Sequence, residues 1–306
     1  VHKAICRDLG HHIVKGINAA IPVNPTQILA TLFVHAGCLE IPEEKLRRQF
    51  RFLVTLIDAD QMSSIFDQPD AQIIDHFLST SGAERQLREG ESVITITTGG
   101  LIDMRYYSNS VAHLFVLPSL VANRIRQGSM IGIESLADEI HALAPLLDAI
   151  YFCELAPNTE RLIQILEIFD FKPAVDATNL TPDLGPIAQI IAPHLHRIAL
   201  VCALLDIQPN LLDDLMPMNA RLKALTSKTT PFNPEDLILS EQLIQALTQP
   251  QSINQSIKDL NTQHKAPGIK PQAAILNLIS AEDQLSLQKL ALNLVEENIQ
   301  STATTS

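Results

Sequence analysis

Tryptophan is absent from this 306-residue chain, and aromatic residues make up only 4% of it. The apolar stock is mainly Leu, Ile and Ala, the usual material of helical packing, so a mostly helical fold is expected. Cysteine is sparse: Cys6, Cys38, Cys153 and Cys202 stand far apart, with no Cys-x-x-Cys pair. That spacing excludes a disulfide framework and a Cys-based zinc site, and it fits a reducing cytoplasm. Positive charge is in deficit, with 22 Lys and Arg against 34 Asp and Glu and a formal net charge of −12. A chain that binds phosphate backbones along its whole surface is thereby excluded, because such binders need clustered cations to displace counterions. Long apolar runs are also missing. Val111 to Asn123 is uncharged but interrupted by His113 and Pro118, and it is too short for the roughly 20 residues that cross a bilayer. The start, Val-His-Lys-Ala-Ile-Cys-Arg-Asp, has no initiator Met and no signal-peptide core, so Val1 is expected to be an internal residue of a longer polypeptide.

What is present is enough apolar material, 46% of the residues, to bury one large core or two ordinary ones. Ile13, Val14 and Ile17 suggest an amphipathic helix over residues 9–20. Asn24-Pro25-Thr26-Gln27 reads as a helix cap, with Pro at the first helical position and Gln three residues after Asn, leading a helix to about His35. Pro42-Glu43-Glu44 opens another, with Leu46, Phe50, Leu53, Val54 and Ile57 as its buried stripe. A further helix follows Asp70, carries Ile73, Ile74, Phe77 and Leu78, and stops near Gly82. Val93 to Thr97 alternates like a short strand closed by Gly99-Gly100.

The expected fold is therefore mostly α, with a winged-helix-like N-terminal part of three helices and a short strand, followed by a multi-helix array. Residues 1–125 form the first subdomain and 126–300 a helical C-terminal one, with 301–306 a disordered tail. Proline breaks at Pro157, Pro173, Pro182 to Pro186, Pro209 and Pro231 to Pro234 divide the array. The polar stretch Thr248 to Gln272 reads as a mobile connector. Ser280-Ala281-Glu282-Asp283 caps a last helix carrying Leu285, Leu287, Leu290, Leu292 and Leu294.

The candidate sites are few. Lys45, Arg47, Arg48 and Arg51 cluster on the helix opened by Pro42, a solvated face or a contact for anionic lipid. The helix after Asp70, which would read DNA in a winged helix, offers Asp70, Gln72, Asp75 and His76 and suits phosphates poorly, so no nucleic acid is expected. His194 and His196 lie near a helix start without a clear third ligand, and no metal is expected. Asp213-Asp214 and Glu43-Glu44 read as solvated or helix-end charges. His35 is followed by Glu40 at the fifth position, at the end of an apolar helix.

The most informative stretch runs from Met104 to Leu120. Tyr106, Tyr107, Asn109, His113, Phe115 and Pro118 are set there in an otherwise apolar segment. It resembles the tyrosine-tyrosine-x-asparagine-x-x-x-histidine-x-phenylalanine-x-x-proline segment downstream of the catalytic domain in bacterial glycerol-3-phosphate acyltransferases of the large, membrane-associated type. His12 to Ala30, with Ile17-Asn18 ahead of Val23-Asn24-Pro25, is similar to the stretch that follows that domain in the family. One departure stands out: the family has Arg-Asn-Asn after the paired tyrosines, whereas this chain has Ser108-Asn109-Ser110.

The resemblance implies a C-terminal helical region of an enzyme that moves an acyl chain from acyl-carrier protein or acyl-CoA onto glycerol 3-phosphate. In that chemistry a His-x4-Asp motif removes the proton from the attacking hydroxyl. No histidine here has Asp five positions on, so no catalytic, cofactor-binding or metal residue and no cofactor is expected in this chain, and it should be inactive alone. Its expected partners are the upstream acyltransferase domain, docked through Tyr106, Tyr107, Asn109, His113 and Pro118, and an anionic membrane surface. Peripheral attachment to the cytoplasmic side of the inner membrane follows from the resemblance. Asn109 and His113, four apart, are expected to share a helix face in a buried hydrogen-bonded cluster with Tyr107. The rival reading is a stand-alone winged-helix-like module that binds protein or nucleic acid.

Overall fold

The computed structural model describes residues 2–20, 22–128, 132–153, 155, 158–171, 183–208, 218–220, 222–223, 237 and 271–305. The described residues are mostly helical with one small antiparallel sheet, and the chain divides into two compact units. The first takes Val1–Ala122, Tyr151–Glu154 and Glu160–Ile190, and the second takes Asn123–Ile150, Leu155–Thr159 and Ile191–Ser306.

In the first unit, α1 (His2–Ala20) precedes α2 (Pro25–Ala36), which lies at the centre. Asn24 caps α2 as its sequence requires. Its Oδ1 accepts from the Gln27 amide at 3.2 Å while Gln27 Oε1 accepts from the Asn24 amide at 2.8 Å, which satisfies two of the amides that a helix start leaves orphaned. Gly37, at φ 62°, ends the helix in the left-handed region that a Cβ disfavours. Between these caps Ile28, Leu29, Ala30, Leu32 and Phe33 are buried, and α2 packs against α3 (Glu43–Val54), α4 (Asp70–Ser81), α5 (Thr98–Val111) and α9 (Gly185–Gln189). Phe33 stacks on Phe77 of α4, and Phe50 of α3 stacks on Phe66, at 6.0 and 6.1 Å between ring centroids.

Three strands rather than one accompany these helices. Strand β1 (Glu40–Pro42) and β2 (Glu84–Arg88) flank β3 (Glu91–Thr95), all antiparallel. The β2–β3 hairpin turns on Glu89 and Gly90, both at positive φ, the conformation that a tight two-residue hairpin demands. Gly99 and Gly100 do not close the strand but lie in the first turn of α5, where Thr97 Oγ1 accepts from the Gly100 amide at 3.1 Å. A Cβ on Gly100 would sit 2.8 Å from Ile96 Cγ1, so the close approach of strand end and helix start selects glycine.

Residues 1–125 do not complete this unit. Phe169, fully buried beyond α8 (Thr159–Ile168), lies 5.7 Å from the Phe52 ring, and buried Ser119 donates to the Ile187 carbonyl at 2.7 Å. Segments after residue 150 are thus part of the first core.

The second unit holds most of α7 (Ile133–Tyr151), with Pro145 inside it, together with α10 (Ala192–Ile207), α11 (Pro271–Leu276) and α12 (Ala281–Thr305). The helix α6 (Val116–Arg126) straddles the boundary. Leu287, Leu290, Ala291 and Leu294 of α12 are buried at helical spacing, and α12 packs on α10. Ser280 caps α12, accepting from the Asp283 amide at 3.0 Å. Arg124 and Glu139 are both buried and paired at 3.0 Å, and Asn277 donates to the other Glu139 oxygen at 2.8 Å, which supplies the additional hydrogen bond that a buried ion pair needs. Helix α12 continues to Thr305, through residues that composition assigned to a disordered tail. Residues 248–270 of the expected connector, and Asp213-Asp214, lie outside the described residues.

Candidate functional site

The Tyr-Tyr-x-Asn segment lies on α5, and the period of that helix sorts it sharply. Met104, Ser108 and Val111 face inward, while Ile102, Tyr106 and Asn109 face outward. Tyr106 is 77% and Tyr107 40% exposed, and their rings meet edge to face at 5.7 Å. The expected buried cluster with Asn109 does not form. Helix α5 ends at Val111 and a 3-10 turn spans Ala112 to Phe115, so the four-residue spacing of Asn109 and His113 no longer keeps them on one face. His113 turns inward instead. Burial pulls its pKa down, opposed by hydrogen bonds to the backbone of Asn18 and Ser110, and Pro118 is buried in the first turns of α6.

The two serines where this chain departs from the family pattern hold α5 to α2. Ser110 Oγ accepts from Gln27 Nε2 at 2.8 Å and donates to the Tyr107 carbonyl at 2.6 Å. Ser108 is fully buried, with its Oγ 3.3 Å from His35 Nε2. An arginine at position 108 would put a charge into this seam. Sequence reasoning missed both serines; Gln27, an amide with a second hydrogen-bonding end beyond the cap, was the one available hint.

His35 ends α2 beside a cavity of about 260 Å³ that is also lined by Cys38, Glu40, Lys45, Gln49 and Asp183. Burial lowers its pKa to about 4, against a raising hydrogen bond to the Gln189 backbone, and the Arg105 charge lowers it further. The imidazole is therefore neutral at pH 7 and a weak proton acceptor. No catalytic dyad forms with Glu40, whose carboxylate is held by Arg88 at 2.5 Å. Gln49 Nε2 donates to Asp183 Oδ2 at 3.2 Å across the cavity wall.

The basic helix α3 is less available than its sequence suggested. Arg47 pairs with Glu43 at 2.5 Å, and Arg51 pairs with Asp70. Glu43, expected to be a solvated helix-end charge, is 6% exposed. Burial pushes its pKa up, but hydrogen bonds from Arg85, Arg47 and Ser92 outweigh that and bring it down to about 2. Arg85 also pairs with Asp75 at 2.9 Å, so the acids of α4 are engaged within the fold. Lys45 and Arg48 remain exposed. In the second unit His196 Nε2 lies 3.5 Å from Asp283 Oδ2. Among the described residues no group of three or more His, Cys, Asp or Glu side chains could hold a metal ion, and no helix is long and apolar enough to cross a membrane.

His35, Glu43 and His113 are thus bonded to neighbouring elements, and the described part of the chain is a mostly helical assembly with a small antiparallel sheet. The family model described as the glycerol-3-phosphate acyltransferase C-terminal region matches residues 1–257. Curated relatives agree. A glycerol-3-phosphate acyltransferase of Pseudomonas putida (strain GB-1) is 25% identical over 314 residues, covering 93% of this chain and 37% of its own length. The one from Pseudomonas syringae pv. tomato is 25% identical over 94% of the chain and 37% of its length, and that of Shewanella halifaxensis is 25% identical over 74% and 30%. The chain belongs to the glycerol-3-phosphate acyltransferase family, as its C-terminal region. It spans little more than a third of the length of the relatives it matches.

Proposed function

We propose that this chain is the non-catalytic helical region of a glycerol-3-phosphate 1-O-acyltransferase, in which a separate upstream domain transfers an acyl group from acyl-carrier protein or acyl-CoA to glycerol 3-phosphate. The observation that carries this is the family match over residues 1–257 in a chain without any His-x4-Asp. The region supports the catalytic domain by docking. Tyr106, Tyr107 and Asn109 offer an outward edge on α5, and His113 and Pro118 fix the turn that aims it.

Peripheral attachment to the cytoplasmic side of the inner membrane is the second part of the reading. Its cations are Lys45 and Arg48, since Arg47 and Arg51 are engaged by Glu43 and Asp70. A few such charges near an anionic bilayer contribute on the order of 1 kcal/mol each.

The test uses the native polypeptide. With either acyl-carrier-protein or CoA thioesters it converts glycerol 3-phosphate into the 1-acyl ester, and His113→Ala lowers that rate. Full activity with an unchanged melting temperature in His113→Ala would remove the docking role, and no acyl transfer with either donor would remove the function. For the membrane, Lys45→Glu with Arg48→Glu weakens sedimentation with anionic vesicles at low salt, and unchanged sedimentation contradicts attachment through this face.

A further inference from the structure

Helix α1 is amphipathic the wrong way round for a helix that closes its own core. Its inward side sets the polar His11, Lys15 and Asn18 around a single aliphatic residue, Val14, all half-buried. The His11 ring lies 5.0 Å from the Phe152 ring, and Asn18 Nδ2 donates to the carbonyls of Tyr151 and Phe152 at 3.3 and 3.4 Å. His113 is hydrogen-bonded to the Asn18 backbone. Residues 11 and 18 are two turns apart and share one face. Leu9, Ile13 and Ile17, four apart on the far side, are 59%, 53% and 48% exposed, and Cys6, Gly10, Gly16 and Ala20 beside them are exposed as well. Among these described residues none on that face is charged. A surface helix ordinarily directs such a file of aliphatic side chains at a core.

Resting on the reading of this chain as one region of a longer acyltransferase, we propose that the Leu9–Ile13–Ile17 stripe is a docking surface for the N-terminal portion of the same polypeptide. The occupant follows from length, charge and size. The matched relatives extend over this chain with only 37% of their length, so most of such a polypeptide lies outside this region. An anionic bilayer is disfavoured at this stripe because its exposed neighbours Cys6, Gly10, Gly16 and Ala20 carry no positive charge. A second copy is disfavoured by extent, because three partly exposed side chains offer far less than the roughly 800 Å² per partner of a stable interface. An intrachain partner needs less area, since tethering keeps its effective concentration high. The small residues Gly10, Gly16 and Ala20 beside the stripe let a partner approach closely.

The experiment places photoreactive benzoylphenylalanine in place of Ile13, and separately in place of Ile17, in the native full-length polypeptide. Irradiated samples are digested and the joined peptides are identified by mass spectrometry. The expected result at both positions is a cross-link to a peptide N-terminal to this region in the same polypeptide, with that yield lost when the probe replaces exposed His12 instead. Cross-links between two copies, adducts on lipid, or no adduct at either position overturn the proposal. Acyl transfer is measured on the same preparations. A cross-link in a polypeptide without acyltransferase activity supports the docking and removes the functional reading, whereas activity without a cross-link removes the docking alone.

Discussion

Helices α1 and α2 follow one another and both carry aliphatic residues at helical spacing, yet they end up in opposite situations. In α2, Ile28, Leu29, Leu32 and Phe33 are fully shielded by α3, α4, α5 and α9. In α1, Leu9, Ile13 and Ile17 face out, and the helix is held by the His11 ring against Phe152 and by hydrogen bonds from Asn18. Periodicity announces that a face will be covered, and it says nothing about what covers it. For α2 the cover lies within the described residues; for α1 it is the partner proposed above.

Substitutions can break or sharpen this contrast. The largest effect is expected in α2, where Phe33→Ala, which empties a fully buried ring site, costs about 4 kcal/mol by chemical denaturation; a loss below about 1 kcal/mol would mean that α2 is not the core. Next comes the end of α2. Folding lowers the pKa of His35 from 6.5 to about 4, so unfolded chains bind the proton first as pH falls. The stability due to neutral His35 is complete above pH 6.5 and is lost between 6.5 and 4, up to about 3 kcal/mol. His35→Gln should flatten that part of the stability profile, and an unchanged slope would contradict the burial of the imidazole. Gln27→Ala removes the capping amide and the bond to Ser110, with an expected cost of about 2 kcal/mol, read as a lower denaturation midpoint at constant m-value. The smallest effect belongs to α1. Ile13→Ser in the chain by itself should shift stability by no more than about 0.5 kcal/mol, and a core-sized loss would show that the stripe is already covered.

Much of this fold could be read from local chemistry, and the misreadings have physical causes. Asn24, Pro25, Gln27 and Gly37 mark both ends of α2, and Ser280 marks the start of α12, because caps are made by neighbours in sequence. Strand β2 was invisible: Glu84-Arg85-Gln86-Leu87-Arg88 has no apolar alternation, since it is an edge strand whose side chains are almost all exposed and whose pairing with β3 is made by backbone. Gly99-Gly100 looked like a strand stop because a glycine required by close approach to Ile96 reads the same as one required by a turn.

The site was legible in part. Tyr106, Tyr107, Asn109 and His113 were singled out, but only the three-dimensional chain shows that α5 ends between Asn109 and His113 and divides them between outside and inside. The basic cluster illustrates the same limit. Lys45, Arg47, Arg48 and Arg51 look equivalent in sequence, while the engagement of Arg47 and Arg51 depends on Glu43 being buried and on Asp70 arriving from another helix. In sequence, Ser108 and Ser110 are only a departure from the Arg-Asn-Asn that the resemblance implies. They are the residues that let α5 close on α2.

The central claim, that this family region is a scaffold for chemistry carried elsewhere in its polypeptide, is tested most directly by acyl transfer to glycerol 3-phosphate. The assay compares equal concentrations of the native polypeptide and of the 306-residue chain, each with acyl-carrier-protein and CoA thioesters. Formation of 1-acylglycerol 3-phosphate by the native polypeptide and none by the 306-residue chain is the predicted result. Turnover by the 306-residue chain, or none by either, would contradict it.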